Sequence, residues 1–317
     1  MKLIEGINLK KIYTLKRGLF GKKVKINALD GVTLSILKGE TFGLVGESGC
    51  GKSTLGKVLL RLEEPSEGKI FFENEDITNF SPKDMKSLRR KMQIVFQDPY
   101  ASLNPRKSIF EILGEPFIIH YQLSKREILE KVKFLLEIVG LPTDSIYKYP
   151  HEFSGGQRQR IAIARAIALE PSFIVADEPL SALDVSVQAQ VIELFLRLQE
   201  NFGLTYLFIS HDINVVGYIA QRIGVMYRGK LVEVGPTEVI LKRPSHPYTK
   251  LLLEAVTLQR EGRGFSSFKV LSEEENGEIG GCVFFSRCRE AKPVCKEIHP
   301  ELKEIEKGHA LACFFGS

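Results

Sequence analysis

No apolar run in this sequence approaches the roughly 18–20 residues that a membrane-spanning helix requires. Its start, MKLIEGINLKKIY, lacks the long apolar core of a signal peptide. The expectation is a soluble, cytosolic chain, whatever surface it docks onto. Strong charge bias is missing too: 44 Lys and Arg against 39 Asp and Glu leave +5. That balance neither demands nucleic acid nor excludes an anionic membrane surface nearby. Cysteine is scarce, with Cys50 alone and Cys282, Cys288, Cys295 and Cys313 gathered near the C-terminus. A disulfide framework of a small secreted domain is distributed differently. No internal repeat and no heptad run is visible. What is present, 317 residues at 44% hydrophobic, suffices for one large domain plus an appendage.

The chain is organised around Gly46-Glu47-Ser48-Gly49-Cys50-Gly51-Lys52-Ser53-Thr54, which fits the phosphate-binding loop G-x-x-x-x-G-K-[ST]. An apolar strand, Thr41 to Val45, precedes it. The helix that follows carries Leu55, Val58, Leu59 and Leu62 at i, i+3, i+4 and i+7. Glycines let the backbone wrap a triphosphate with its N–H groups pointing inward, and the helix N-terminus adds partial positive charge. Lys52 is then expected to reach the β- and γ-phosphates, and the Ser53 hydroxyl to ligate magnesium.

Around this loop, residues 1 to about 40 read as strands and turns, with a basic turn at Lys16 to Lys25. Met92 to Phe96 is an apolar strand ending at Gln97, and Pro99 breaks it. Residues from about 100 to 165 read as mostly helical. Ser124 and Glu127 make a capping box, and Gly140 and Pro142 end the helix behind it. A strand at Phe173 to Asp177, a helix from about Val185 to Asn201 closed by Gly203, and a strand at Leu204 to Ser210 follow. Such alternation predicts a parallel α/β sheet. Beyond about residue 235 come a helix, a charged linker (Gln259 to Gly281) and the cysteine segment.

Phe173 to Asp177 ends in two carboxylates, Asp177 and Glu178. In phosphate-loop ATPases the first helps hold magnesium, and an adjacent Glu at the mouth of the site suits a general base for water. Ser154-Gly155-Gly156-Gln157 opens another helix, a second anion-binding geometry.

Phosphate loop, Gln97, Ser154-Gly155-Gly156-Gln157, Asp177-Glu178, Ser181-Ala182-Leu183-Asp184 and His211 follow one another in an order and spacing that resemble the nucleotide-binding subunits of ABC transporters, over about residues 1 to 235. The resemblance implies an α/β phosphate-loop fold: a RecA-like parallel sheet core, an N-terminal antiparallel β subdomain and a helical signature subdomain at about 98–165. A small cysteine-containing extension at 236–317 completes it. It implies an ATPase using ATP and Mg²⁺, with two cassettes sandwiching two ATP molecules head to tail. Ser154, Gly155, Gly156 and Gln157 would then face the phosphate loop of the other cassette, and Asp184 would lie at the interface. Tyr13 matches the aromatic that stacks on adenine. Gln97 would contact magnesium or the attacking water, and His211 would hold the γ-phosphate. Phe153 stands where many members have leucine.

Gln97 to Arg106 and Pro244-Ser245-His246-Pro247-Tyr248-Thr249 look like the oligopeptide/dipeptide importer branch, nearer the second (F-type) of its paired ATPases. The implied partners are a second ATPase subunit, a heterodimer being favoured over a homodimer, two transmembrane permease subunits and an extracellular solute-binding protein. The implied place is the cytoplasmic side of the cell membrane. Oligosaccharide or nickel import is the alternative cargo, and a soluble ABC ATPase acting on DNA or ribosomes the alternative class. Cys282-x5-Cys288-x6-Cys295-x17-Cys313 is similar to the pattern by which some members of the branch hold a [4Fe–4S] cluster. Spacing alone leaves zinc or free thiols open, because neither the CxxC knuckle nor the CxxCxxC run is present.

Overall fold

The computed structural model describes residues 1–16, 23–260 and 280–316. In chain order the strands are β1 (Lys2–Lys16), β2 (Lys23–Leu37), β3 (Thr41–Val45), β4 (Glu67–Phe72), β5 (Glu75–Asp76) and β6 (Met92–Val95). Then come β7 (Phe173–Asp177), β8 (Thr205–Ser210), β9 (Arg222–Tyr227), β10 (Lys230–Pro236), β11 (Lys303–Glu306) and β12 (His309–Leu311). An antiparallel sheet has the order β2-β1-β4-β5, and a larger mixed sheet the order β11-β12-β10-β9-β3-β8-β7-β6. In the larger sheet β3 runs parallel to both β8 and β9, and β7 and β6 continue the parallel run.

The central strands are buried along their whole length, as a parallel sheet covered on both faces requires. Alternation along each strand sorts their side chains into two layers. Phe173, Val175, Leu207 and Ile209 pack with Leu55, Val58 and the antiparallel sheet. Ile174, Ala176, Tyr206 and Phe208 pack into the core that the helices build.

Local signals set the helix ends. The Ser124 side chain accepts from the Glu127 backbone N–H, and the Glu127 carboxylate accepts from the Ser124 N–H at 2.8 Å. Gly140 (φ 71°) terminates the turn after that helix, and Gly203 (φ 62°) caps the helix Val185–Phe202. The helix after the phosphate loop is shorter than its apolar spacing suggests. It spans Lys52–Leu59, Arg61 takes a positive φ of 53°, and Leu62 is turned out, 42% exposed, while Leu55, Val58 and Leu59 are buried.

Helices Thr237–Lys242 and Pro247–Arg260 follow β10. Residues 17–22 of the basic turn, and 261–279 with the charged linker, lie outside the described residues. The cysteine segment then returns to the larger sheet, β12 pairing antiparallel with β10. Glu233 of β10, fully buried, joins the two. It accepts from the backbone N–H of Ser245 (2.8 Å) and His246 (3.1 Å) and lies 2.9 Å from His309 Nε2. Alternating strands and helices do not announce this junction.

Candidate functional site

The carboxyl ends of β3, β6, β7 and β8 present a loop each, the usual place for a ligand in an open parallel sheet. After β3 comes Gly46 to Thr54. Gly46 (φ 155°) and Gly51 (φ 109°) are glycines for a steric reason: a Cβ would stand 2.1 Å from the Met226 carbonyl oxygen at the first and 2.2 Å from that of Ala28 at the second. Lys52, buried, donates from Nζ to the carbonyl oxygens of Gly46 (2.8 Å) and Glu47 (3.0 Å). The Cys50 thiol behind the loop is pushed up by burial, which keeps it a neutral space-filler.

Ser53 Oγ donates to Asp177 Oδ1 at 2.7 Å. Asp177, at the end of β7, is 5% exposed. Burial raises its carboxyl above the ordinary value, the Ser53 hydrogen bond opposing and the Glu178 charge adding to the shift. A buried carboxylate beside a hydroxyl is an incomplete set of hard oxygen ligands, the kind that phosphate oxygens and water complete around Mg²⁺.

Glu178 is the meeting point. Its backbone is held at φ 45°, a conformation that L residues avoid and that functional sites retain. Gln97 Nε2 donates to its Oε2 at 3.2 Å, and Lys52 Nζ lies 3.7 Å from its Oε1. His211 Nδ1 lies 3.5 Å from its Oε2 and, at 59% side-chain exposure, stays open to solvent. Loops from four separated strands thus bring Lys52, Gln97, Asp177, Glu178 and His211 together.

Tyr13 on β1 is half-buried, with its hydroxyl bonded to Glu63 and Thr54 beside it. Lys11 Nζ stands 5.2 Å from its ring centroid. Ser154 is the cap of the helix Gly155–Ile167: its Oγ accepts from the Gln157 N–H at 3.3 Å, and Gln157 Oε1 accepts from the Ser154 N–H at 2.9 Å. Gly156 lets this helix touch Val187, whose Cγ1 lies 2.4 Å from where a Cβ would be. Asp184 caps the partner helix, and hydrogen bonds from Ser186 and Val187 hold its exposed carboxyl below the ordinary value. Among the described residues no hydrogen bond or ion pair joins Ser154–Gln157 or Asp184 to the phosphate loop of the same chain.

Residues 29–181 match the ABC transporter family, and residues 232–295 match the family of oligopeptide/dipeptide transporter C-terminal regions. The oligopeptide transport ATP-binding protein AppF of Bacillus subtilis is 50% identical, over 98% of this chain and 96% of its own length. The dipeptide transport ATP-binding protein DppF of Escherichia coli is 46% identical, over 98% and 94%. This chain belongs to the ATP-binding subunits of the oligopeptide/dipeptide ABC transporters. It is an ABC-type ATPase and carries the cassette fold. A post-hydrolysis dimer of the ATP-binding cassette MJ0796, bound to ADP and Pi, superposes with a TM-score of 0.66 at 31% identity, over 74% of this chain and 98% of that one. Family members of this kind work with membrane permeases, and the relatives do not favour oligosaccharide, nickel, DNA or ribosomes as alternatives. No helix among the described residues is long and apolar enough to cross a membrane.

One expectation is corrected. Cys282, Cys288, Cys295 and Cys313 line one cavity with Phe284, Phe285 and other aromatic neighbours, yet no three His, Cys, Asp or Glu side chains among the described residues are disposed to hold a metal ion. The iron–sulfur reading therefore falls. Burial raises the Cys282 and Cys288 thiols above their ordinary value, which disfavours the thiolate that ligates metal.

The same segment holds what the sequence did not signal. Arg287 Nη1 and Nη2 each lie 2.8 Å from a carboxylate oxygen of Glu47, inside the phosphate loop, and the Tyr248 hydroxyl accepts from the Glu47 N–H at 2.9 Å. Tyr248 falls in the run Pro244 to Thr249, read there only as a branch marker; Arg287 belongs to no motif.

Proposed function

We propose that this subunit drives peptide uptake by closing on ATP against a second ATPase subunit, in a heterodimer, and so moving a pair of permease subunits fed by an extracellular solute-binding protein. The observation that carries the reading is the meeting of Lys52, Gln97 and His211 on Glu178, next to the Ser53–Asp177 pair. The names of the relatives support di- and oligopeptides as the cargo. In this reading residues 1–235 are the motor, with its helical part at about 98–165, and 236–317 the extension.

Gly46 to Thr54 wraps the phosphates, and Lys52 exchanges its two carbonyl contacts for β- and γ-phosphate oxygens. Tyr13 stacks on adenine once Lys11 leaves its ring. Ser53, Asp177 and Gln97 would hold magnesium, which when bound offsets charge on the phosphates. Glu178 accepts a proton from the attacking water while the new O–P bond forms and the β–γ bridge breaks; His211 holds the γ-phosphate in line. Ser154, Gly155, Gly156 and Gln157 complete the site of the other subunit across the interface, with Asp184 alongside. The subunit works on the cytoplasmic face of the membrane. The test is affinity capture of tagged Glu178→Gln protein with ATP from its own membranes. Co-purification of a permease pair and a second ATPase is expected; ribosomes or soluble partners alone would overturn the transport reading.

A further inference from the structure

The first variable residue of the phosphate loop is an acid, Glu47, in a place built to receive a polyanion. Like charge there opposes nucleotide binding unless it is offset. The offset comes from far away in the chain. Arg287 grips the carboxylate with both ends of its guanidinium at 2.8 Å, the fork geometry that distinguishes arginine from lysine. Glu47 is also fixed along its backbone: its N–H donates to Tyr248 Oη at 2.9 Å, and its carbonyl accepts from Lys52 Nζ at 3.0 Å.

The arm that carries Arg287 is itself rigid. Tyr227, Tyr248 and Phe284 are all at least 98% buried and pack edge-to-face or tilted, with ring centroids 4.6, 5.3 and 5.4 Å apart. The guanidinium lies over the rings of Tyr227 and Phe284, at 5.7 and 5.8 Å. Its Nη1 is 3.5 Å from the Tyr227 hydroxyl. Rings from β9, from the helix Pro247–Arg260 and from the cysteine segment thus aim one cation at one loop carboxylate.

We infer that Arg287 is a positioning residue for ATP, supplied by the C-terminal extension: it neutralises Glu47 and holds the entrance of the phosphate loop in the shape that admits the nucleotide. The inference rests on the reading of Gly46 to Thr54 as the ATP cradle. It gives the extension a part in the ATP cycle that needs no metal.

Titration calorimetry of MgATP into the full-length protein tests it, with Arg287→Ala, Glu47→Gln, the double variant and Lys52→Ala compared. Arg287→Ala should weaken binding about fivefold, the upper range for a partly exposed pair, and by more than Glu47→Gln does. The double variant should return close to the Glu47→Gln value, because the stranded charge has gone. In the assembled transporter KM for ATP should rise while kcat holds. A bridge that merely pins the extension predicts the reverse: Glu47→Gln would hurt as much as Arg287→Ala, and the double variant would not recover. That outcome, or unchanged binding in Arg287→Ala, overturns the inference. Should Arg287→Ala melt at a lowered temperature, Arg287→Gln, which keeps the stem over the rings, takes its place. Lys52→Ala separates the two levels: if it binds ATP normally the cradle reading fails, whereas lost binding there with normal Arg287 variants sinks the inference alone.

Discussion

Two regions of this molecule gather reactive side chains, and they do so in opposite surroundings. At the strand ends, Lys52, Asp177, Glu178 and His211 are charged or hydrogen-bonding groups with partners at 2.7–3.7 Å. In the C-terminal extension four thiols share a cavity walled by phenylalanines, and burial keeps two of them protonated. The first arrangement can bind a polyanion and move a proton; the second offers no three donors to one ion among the described residues. The difference teaches that clustering alone does not make a site. Donors must be ionised, or able to become so, and aimed at one point, and the surrounding dielectric decides whether they are.

Breaking the polar region should have the largest effect. Glu178→Gln keeps the shape and removes the proposed base, so ATP turnover should fall by about 10²–10⁴ while ATP binding survives; phosphate release and nucleotide binding measured side by side check it. The seam between the larger sheet and the extension is next. Glu233→Ala leaves the backbone N–H groups of Ser245 and His246, and the ring of His309, without their buried acceptor. The expected loss is about 2–4 kcal/mol, read from urea unfolding, together with protease sensitivity of residues 280–316. The apolar region gives the smallest signal, a dependence on pH. Burial lowers His246, which lines the thiol cavity, to about 4, and its Nδ1 accepts from the Tyr248 N–H. Its pKa when unfolded is the higher one, near 6.5, so below that value the unfolded chain binds the extra proton. The stability that neutral His246 contributes is full above about pH 6.5 and is lost as pH falls toward about 4. His246→Gln should flatten that part of the stability curve; a slope unchanged by the substitution would show that other groups set it.

What was legible beforehand was local or carried by motif order. Ser124–Glu127, Gly140 and Gly203 act within a turn or two, so their residues suffice to end helices where they do. Asp177 and Glu178 could be singled out because they end an apolar run. The shortened helix at Leu59 could not: the spacing of Leu62 fits the apolar face, but the turn at Arg61 swings it to solvent. The cysteines show the same limit, since their spacing says nothing of whether their thiolates can form or converge.

By itself the sequence determined the phosphate loop, the alternation of strands and helices up to Ser210, and the chemical types at the ends of those strands. Those follow from short-range sterics and from hydrophobic period, which each stretch carries alone. Only the tertiary structure decided that Glu178 meets Lys52, Gln97 and His211, that β12 closes on β10, and that Arg287 reaches Glu47 across 240 positions. Such contacts depend on where the shared core sets each strand end, because a charge finds its partner through packing and not through spacing along the chain.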